Sequence, residues 1–531
     1  MSHFEGNLRR YRQDERLTRL ERRVTLQSVR VLFYYRGIES LGIGYLMSML
    51  RAHGHDIDLI FDPGLDDNGH VKAPRLKWLN RHGAMLEQAK AFKPDLVAMG
   101  ALTNLWPHAK QMATRLKQAL GVPILVGGHH AQALPDYVLG HPDVDYVCIG
   151  EGEYALLELV ERMAHGGDTA SVPGIWAKKD GAIVRNALGP LENDLDKFPF
   201  PEKQLWYDHG CFQDHLEVFT GRGCPFKCTF CNIHYQRDLF AGTGDFLRKR
   251  SIANVMEELR LNAARYDTRF VLVHDDNFTT DARWVEAFCE EYRKQINLPW
   301  YCFGYPTTIK PTLVKAMKAA NCATVFMGVD AGSERVRRDL MERPMSDELI
   351  YRSAKLIKDA GIGLQISCIY GNPDESPDDM WKTLEMVDTI RPDQSTAYVF
   401  YPFPKTKLHD RAVELGYLDE AGQEAVRQGL SGYHHESILA HPHKDLAETL
   451  AKFTPLYARA PASLKPTLRW LMRNEYKRLA LFLYVALFPL AFPFMGRHAF
   501  KIQIKMALAA MRRRRPARPS SAALDDPPLS A

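Results

Sequence analysis

Three cysteines, Cys224, Cys228 and Cys231, fall within eight residues of the stretch GRGCPFKCTFCNIHY, Gly221 to Tyr235. Thiolates are the usual protein ligands of iron-sulfur clusters and of zinc. A structural zinc site takes four ligands, commonly as two separated pairs, whereas this stretch offers a single CxxxCxxC triplet. A four-iron cluster held by three thiolates leaves one iron open to a ligand that is not protein. His234 could instead complete a zinc site. Three metal-free core thiols fit poorly, because Arg222, Lys227 and Thr229 make the segment polar. Lys227 and Arg222 are also the charges at hand to offset such a cluster.

The elements that must position this triplet are legible from apolar rhythm. The chain has 531 residues, enough for two or three domains, and its formal charge of +5 is small for that length, so a nucleic-acid partner is not indicated. From residue 29 short runs such as VRVLFYY, DIDLIF, DLVAMGAL, PILVGG and DYVCIGEGE alternate with helical stretches. Apolar runs separated by helices predict buried parallel strands with crossover helices, so residues 29–195 read as a doubly wound α/β domain. Ligands of such sheets bind beyond the carboxyl ends of the strands. The small residues there are Gly42 and Gly44, Gly100 with Thr103, Gly127 with Gly128, and Gly150 with Gly152.

A Pro-, Asp- and Asn-rich linker follows at 196–214, and then strand patterns recur: LEVFTGRG, RFVLVHDDN, WYCFGYP, TVFMGVDAG, GLQISCIYG and STAYVFYPFP. A second βα domain is predicted over 215–430, with the cysteines in the loop after its first strand, where barrel enzymes carry their active sites. The remaining six cysteines, 148, 211, 289, 302, 322 and 368, mostly sit in apolar runs and read as core thiols rather than a disulfide framework.

Residues 431–531 read as helical and polar, except for LALFLYVALFPLAFPFMG, Leu479 to Gly496, which is uncharged and broken by Pro489 and Pro493. That is short for a bilayer crossing, which needs about 20 apolar residues. With the basic stretch FKIQIKMALAAMRRRR behind it, the segment is read as lying in or dipping into one leaflet of a membrane, the alternatives being a helical hairpin packed on the barrel and a true span. The basic extension 1–28 has no signal-peptide core, so a cytoplasmic protein is expected, at the inner face of the membrane. The final LDDPPLSA is expected to be disordered.

The triplet, with Phe230 before its last cysteine, resembles the signature of the radical S-adenosylmethionine superfamily. That resemblance implies a partial (β/α)6 barrel in which Cys224, Cys228 and Cys231 hold a 4Fe-4S cluster and S-adenosyl-L-methionine ligates the fourth iron. Reductive cleavage would then give a 5′-deoxyadenosyl radical, with an electron donor such as flavodoxin or ferredoxin. Within HDDNF, Asp275 and Asp276 are both candidates for the methionine amino group. FMGVDAGSERV resembles the family segment GIESGS and puts Asp330 and Ser333 near the ribose, although Asp330 and Ala331 replace the usual Glu and Ser. Pro373 with Glu375, and Pro404 with Thr406, match later strand-end motifs that shape the pocket or only make turns.

The preceding domain resembles the cobalamin-binding domain found before many such barrels, which implies cobalamin at Gly42, Gly44, Thr103, Gly127, Gly128, Gly150 and Glu151. No histidine has an aspartate two positions before it, so the DxHxxG ligand of methionine-synthase-like domains is absent. His129 and His130 are rival ligands, read as surface or loop residues. The tandem resembles the group of class B methyltransferases and the anaerobic magnesium-protoporphyrin monomethyl ester cyclase. It implies methyl transfer to an unactivated carbon of a small hydrophobic substrate, a lipid, isoprenoid or tetrapyrrole. The alternatives are oxidative cyclase-type chemistry on a tetrapyrrole-like substrate and a non-enzymatic cobalamin or redox sensor.

Overall fold

The computed structural model describes residues 28–64, 82–211, 214–430, 436–476, 479 and 483. The first apolar runs form strands β1 (Arg30–Arg36), β2 (Asp56–Asp62), β3 (Leu96–Gly100), β4 (Ile124–Gly127) and β5 (Tyr146–Cys148). They are parallel in the order β2-β1-β3-β4-β5. Both faces of β1 are apolar because both are covered. Val31 and Phe33 join Ile43, Met47 and Leu50 of helix Leu41–Ala52 and Leu156 and Leu159 of helix Gly152–His165. Leu32 and Tyr34 join Met112 and Leu116 of helix Trp106–Leu120 on the other side. Each such fully buried aliphatic side chain is worth about 1.5–3 kcal/mol. An antiparallel hairpin, β6 (Ile175–Lys179) and β7 (Ala182–Val184), extends the sheet beyond β5. Strand order reverses between β1 and β3, the crevice where doubly wound sheets bind ligands.

The linker is pinned to this domain rather than loose. Trp206, in the short helix Gln204–Asp208, is fully buried edge-on to Tyr35 at 6.0 Å and Phe61 at 5.8 Å.

The second domain is built on β8 (His215–Val218), β11 (Phe270–Val273), β12 (Trp300–Gly304), β13 (Cys322–Asp330), β14 (Gly363–Tyr370) and β15 (Gln394–Val399). These form one six-stranded parallel sheet in chain order, and β9 (Gly221–Arg222) pairs with β10 (Arg248–Lys249) beside it. Trp300 and Cys302 point outward into the helical layer with Phe288 and Tyr292 of helix Ala282–Gln295. The six cysteines outside the triplet are all buried, as expected of core thiols.

Helix Lys444–Arg459 packs on β14 and β15, with Tyr370 and Thr454 hydroxyls 2.8 Å apart, so the C-terminal region begins as part of the barrel's outer layer. The expected membrane segment, Leu479 to Gly496, lies outside the described residues except for Leu479, which is exposed, and Leu483, which packs against the core. Most of the N-terminal extension and the basic tail lie outside them as well. Among the described residues no helix is long and apolar enough to cross a membrane.

Candidate active site at the domain junction

The cysteine loop leaves β9 through Gly223, which has φ +85° and no room for a side chain: a Cβ there would stand 2.3 Å from the Phe246 carbonyl oxygen. The loop is anchored at its centre. The Thr229 amide donates to the Met341 carbonyl at 3.2 Å, its hydroxyl to Leu340 O at 2.5 Å, and Leu408 N donates to Thr229 O at 3.1 Å. Phe230 packs against the small cluster of Ala331, Val336 and Met341. The Cys231 amide donates to Cys228 O at 3.1 Å, and Cys231 then caps helix Asn232–Leu239. Arg237 from that helix returns to the Cys224 carbonyl. Burial pushes the Cys224 thiol up to about 11 and the Cys231 thiol to about 12.

Among the described residues no group of three or more His, Cys, Asp or Glu side chains converges tightly enough for a single metal ion. The zinc alternative therefore lacks its tetrahedron, and His234 instead faces Asp238, with Nε2 3.9 Å from Oδ2. A four-iron cluster has no such demand, since each thiolate meets a different iron.

The charge beside the triplet is not the one expected. Arg222 is held by Glu151 at 3.0 Å and Glu153 at 2.5 Å, and Lys227 is exposed. Arg343 is there instead. Its Nη1 lies 3.4 Å from Cys228 Sγ and 3.1 Å from Asp330 Oδ2, and its Nη2 donates to Gly328 O at 2.7 Å. The guanidinium lies over the Tyr305 ring at 4.4 Å, and Tyr305 stacks on Phe226 of the cysteine loop at 3.7 Å. Among the described residues Arg343 Nε is buried with no partner, so the side chain that reaches Cys228 keeps a free cationic N–H, and this suits an anionic cluster. A lone arginine in MERPMS carries no pattern, so sequence reading passed over it.

The paired aspartates divide their roles. Asp275 is buried and saturated: it accepts from Thr220 N at 2.6 Å, Thr220 Oγ1 at 2.5 Å and Gly221 N at 3.2 Å, and pairs with Lys249 at 2.7 Å. Asp276 is exposed at the rim, makes no hydrogen bond among the described residues, and is raised to about 6 by desolvation and by Asp275. Its charge acts on Cys224 and Cys231.

The expected ribose residues are also engaged within the protein. Asp330, at φ +62°, receives Ser367 Oγ at 2.9 Å besides Arg343, and Ser333 donates to Asp379 at 2.5 Å. Glu375 folds back on Asn372, accepting from its amide at 2.9 Å, and Thr406 caps helix Lys407–Glu414, so these two build turns.

In the first domain, Thr103, Gly127, Gly128, Gly150 and Glu151 cluster at the carboxyl edge of β3, β4 and β5. Gly128 has φ +94°, and a Cβ there would meet Ala101 O at 2.8 Å, so the edge between β3 and β4 stays bare backbone, a cradle suited to a large planar cofactor. Gly42 and Gly44 lie in the first turn of helix Leu41–Ala52 rather than at a strand end. The absent side chain of Gly44 admits the linker, with Pro201 Cβ 3.0 Å from the Cβ position. His130 is not a surface residue: it is fully buried, stacked on Trp106 at 5.4 Å.

One helix carries the cysteine loop to this edge. From Asn232–Leu239, Gln236 Nε2 lies 2.8 Å from His129 Nδ1, and the Tyr235 hydroxyl donates to Gln132 O at 3.3 Å. Phe240, capping the same helix, packs where a Gly150 side chain would be. Glu151 adds ion pairs to Arg248 and Arg222.

The inner face of the barrel sheet is aromatic. Tyr301, Phe303 and Phe326 lie together, with centroids 5.4 Å and 5.2 Å apart along the row, and His274 stands edge-on to Phe303 at 5.9 Å. At its polar end burial opposes ionisation of Glu217, but His274, His215 and Lys203 outweigh it and hold that carboxyl down to about 2.

Comparison with known proteins agrees with this architecture. Residues 33–160 match the B12 binding domain and residues 218–387 the Radical SAM superfamily. The chain therefore joins a B12-binding domain to a radical SAM domain, and it is an enzyme of the cobalamin-dependent radical SAM group, whose cofactors are a 4Fe-4S cluster, S-adenosyl-L-methionine and cobalamin. It is 26% identical to an uncharacterized methyltransferase of Pyrococcus horikoshii, over 70% of this chain and 78% of that one. It is 24% identical to the cytidylyl-2-hydroxyethylphosphonate methyltransferase of Streptomyces wedmorensis, over 82% and 89%. The anaerobic magnesium-protoporphyrin IX monomethyl ester cyclase of Rubrivivax gelatinosus is 26% identical, over 73% and 70%. In fold the chain resembles the cobalamin-dependent S-adenosylmethionine radical enzyme OxsB with aqua-cobalamin bound, with TM-score 0.63, 15% identity and coverage of 91% and 80%. The methyltransferase TsrM from Kitasatospora setae gives TM-score 0.60 at 16% identity, covering 73% and 78%.

Proposed function

We propose that this protein transfers a methyl group to an unactivated carbon of a small hydrophobic substrate. The observation that carries the reading is the shared helix: Asn232–Leu239 begins at a cluster cysteine and touches the glycine-lined edge of the first sheet. A helix shared by the two candidate cofactor sites supports a reaction that uses both cofactors together. When bound, the cluster and S-adenosylmethionine supply a hydrogen-abstracting radical, and cobalamin supplies the methyl group.

The chain's own residues do the rest. Cys224, Cys228 and Cys231 hold the cluster. Asp276, the unengaged carboxylate, receives the methionine amino group, while Asp275 fixes the strand end beneath it. Asp330, Ser333 and Phe230 shape the ribose and adenine side through the contacts they already make. Gly127, Gly128, Gly150 and Thr103 leave backbone open to cobalamin. The aromatic wall of Tyr301, Phe303 and Phe326 excludes water from an apolar substrate, and His274 beside Glu217 hydrogen-bonds its polar group.

The names of two methyltransferases among the relatives support methyl transfer, and that of the cyclase supports tetrapyrrole chemistry as the second reading. A membrane-derived substrate is favoured by exposed Leu464, Trp470 and Tyr476, which precede the apolar segment at the C-terminus. The enzyme would then work in the cytoplasm at the inner face of the membrane.

The test uses full-length protein reconstituted anaerobically with iron, sulfide and cobalamin, then given a one-electron reductant, methyl-deuterated S-adenosylmethionine and a lipid extract from cells lacking the gene. Deuterated methyl in an extracted product, with 5′-deoxyadenosine and S-adenosylhomocysteine, is expected. A product two hydrogens lighter without label would favour the cyclase. No 5′-deoxyadenosine with both cofactors bound would refute an enzyme in favour of a sensor.

A further inference from the structure

The strongest unassigned feature is the buried guanidinium of Arg343. It reaches Cys228 Sγ through Nη1 at 3.4 Å and leaves Nε buried and unpartnered. Its position is over-determined: Asp330 at 3.1 Å, the Gly328 carbonyl at 2.7 Å and the Tyr305 ring at 4.4 Å leave it one place to be. Arginine at the surface gains little from such contacts, but here it is 5% exposed, so its charge is poorly screened. Of the other cations near the loop, Arg222 is tied to the first domain, Lys249 to Asp275, Arg237 to the carbonyls of Cys224 and Phe226 rather than to a thiol, and Lys227 is exposed.

We infer that Arg343 sets the reduction potential of the cluster by donating a charged N–H···S hydrogen bond to the Cys228 thiolate, with Asp330 as the counter-charge that limits the effect. This rests on the cluster assignment made above. Hydrogen bonds to cluster sulfurs and nearby net charge are what tune such potentials. Reduction adds one electron, taken from an external one-electron donor, and so adds one negative charge beside the guanidinium. A positive charge favours the reduced state and raises the potential. A carboxylate at the same place lowers it. Asp330 occupies the position where the family segment has Glu, and in this chain it neutralises Arg343 while Ser367 steadies its other oxygen.

Two substitutions should therefore move the potential in opposite directions, which a merely structural role would not do. Arg343→Gln removes the charge and, being two bonds shorter than the Nη1 that reaches Cys228, the hydrogen bond with it. Asp330→Asn removes the counter-charge and leaves the guanidinium uncompensated. The measurement is an EPR-monitored redox titration of reconstituted full-length protein, without S-adenosylmethionine, using mediators and dithionite.

At the wild-type midpoint, R343Q should show about a tenfold lower ratio of reduced to oxidised cluster, equal to a midpoint lower by ~59 mV for one electron. D330N should show a higher ratio than wild type, and Arg343→Lys, which keeps the charge without the planar fork, should fall between wild type and R343Q. Unchanged midpoints in R343Q and D330N, or shifts of the same sign, would overturn the inference. Iron and sulfide content and the visible absorption band are read on each sample. If wild-type protein takes up no cluster, the assignment itself fails, which is distinguishable from a loaded cluster with an unmoved potential. Should R343Q not hold a cluster, the D330N titration alone decides, because a midpoint equal to or below wild type refutes the role.

Discussion

Adjacent aspartates that a motif treats alike should separate cleanly under mutation. In Asp275→Asn the amide loses the negative charge that accepts from Thr220 twice, from Gly221 once and from Lys249. Hydrogen bonds to a charged group contribute about 1.5–3 kcal/mol each, and removing one partner of a buried pair costs about 3–5 kcal/mol. Asn retains one acceptor oxygen, and Lys249 keeps its places over Phe278 at 5.3 Å and Trp284 at 4.7 Å. The lower end, about 3 kcal/mol, is therefore expected. For a domain of this size, 1 kcal/mol moves Tm by about 2–4 °C, so D275N should melt about 6–12 °C below wild type. Asp276→Asn touches no hydrogen bond among the described residues and removes a carboxylate whose ionisation the fold opposes, so it should not lower stability and should raise it above about pH 6. Near-UV circular dichroism melts of the cofactor-free full chain read the first effect. Equilibrium dialysis of S-adenosylmethionine against cluster-loaded protein reads the second, where D276N should bind weakly although it melts no lower than wild type. A D275N protein that melts with wild type, or a D276N protein that melts well below it, would refute the division.

The titration of Asp276 gives a signed test. Its folded pKa is raised to about 6 from an ordinary value of 3.8, so between those pH values the folded chain keeps a proton that the unfolded chain has released. Stability should fall as pH rises from about 4 to 6, a slope absent from D276N in urea melts, and affinity for S-adenosylmethionine should climb across the same window as the carboxylate forms. Arg222→Ala strands Glu153, which is 5% exposed, and unties Glu151 from the cysteine loop. It should cost about 3 kcal/mol in urea unfolding, and no loss would mean that this junction is not clamped by charge. Full-length protein should float with liposomes containing anionic lipid, and a chain ending at Glu475 should not; equal flotation would remove the membrane reading.

Much of the fold and part of the site were legible because the relevant patterns are local. Strand runs such as Val31–Phe33 and Cys302–Phe303 advertise themselves by composition, and three thiols within eight residues advertise a cluster. The β6–β7 hairpin was missed, since WAKKDGAIV is short and half polar at a sheet edge. The choice between Asp275 and Asp276 could not be read either, because it depends on Thr220 and Lys249, which are 55 and 26 residues away. Gly44 misled for the same reason: its glycine serves a contact with Pro201, not a strand end. Arg343 is the extreme case. Its partners, Cys228, Asp330, Gly328 and Tyr305, come from three separate strand-loop units, and only the barrel brings them together.

The same long-range logic bears on what the two domains are for. A sensor could bind cobalamin and a cluster at any separation, and its interface would need only to respond to one of them. Here the domain contacts concentrate on one helix and its flanks: Gln236 to His129, Tyr235 to Gln132, Phe240 against Gly150, Arg222 to Glu151 and Glu153. These first-domain partners lie at the carboxyl ends of β4 and β5 or just after them, where the sheet offers bare backbone, and Tyr45 of helix Leu41–Ala52 adds a contact by accepting from Arg250 at 3.3 Å. A second closure comes from helix Glu420–Arg427: Glu424 accepts from Tyr137 at 3.4 Å, and Gly429 passes so close to the Thr103 carbonyl that a Cβ would stand 2.2 Å from it. Contacts at both candidate cofactor edges would shield bound cofactors from water. Shielding matters to a radical that would otherwise be quenched and to a methyl group that must travel a short distance. It offers nothing to a sensor that exchanges its ligand with solvent.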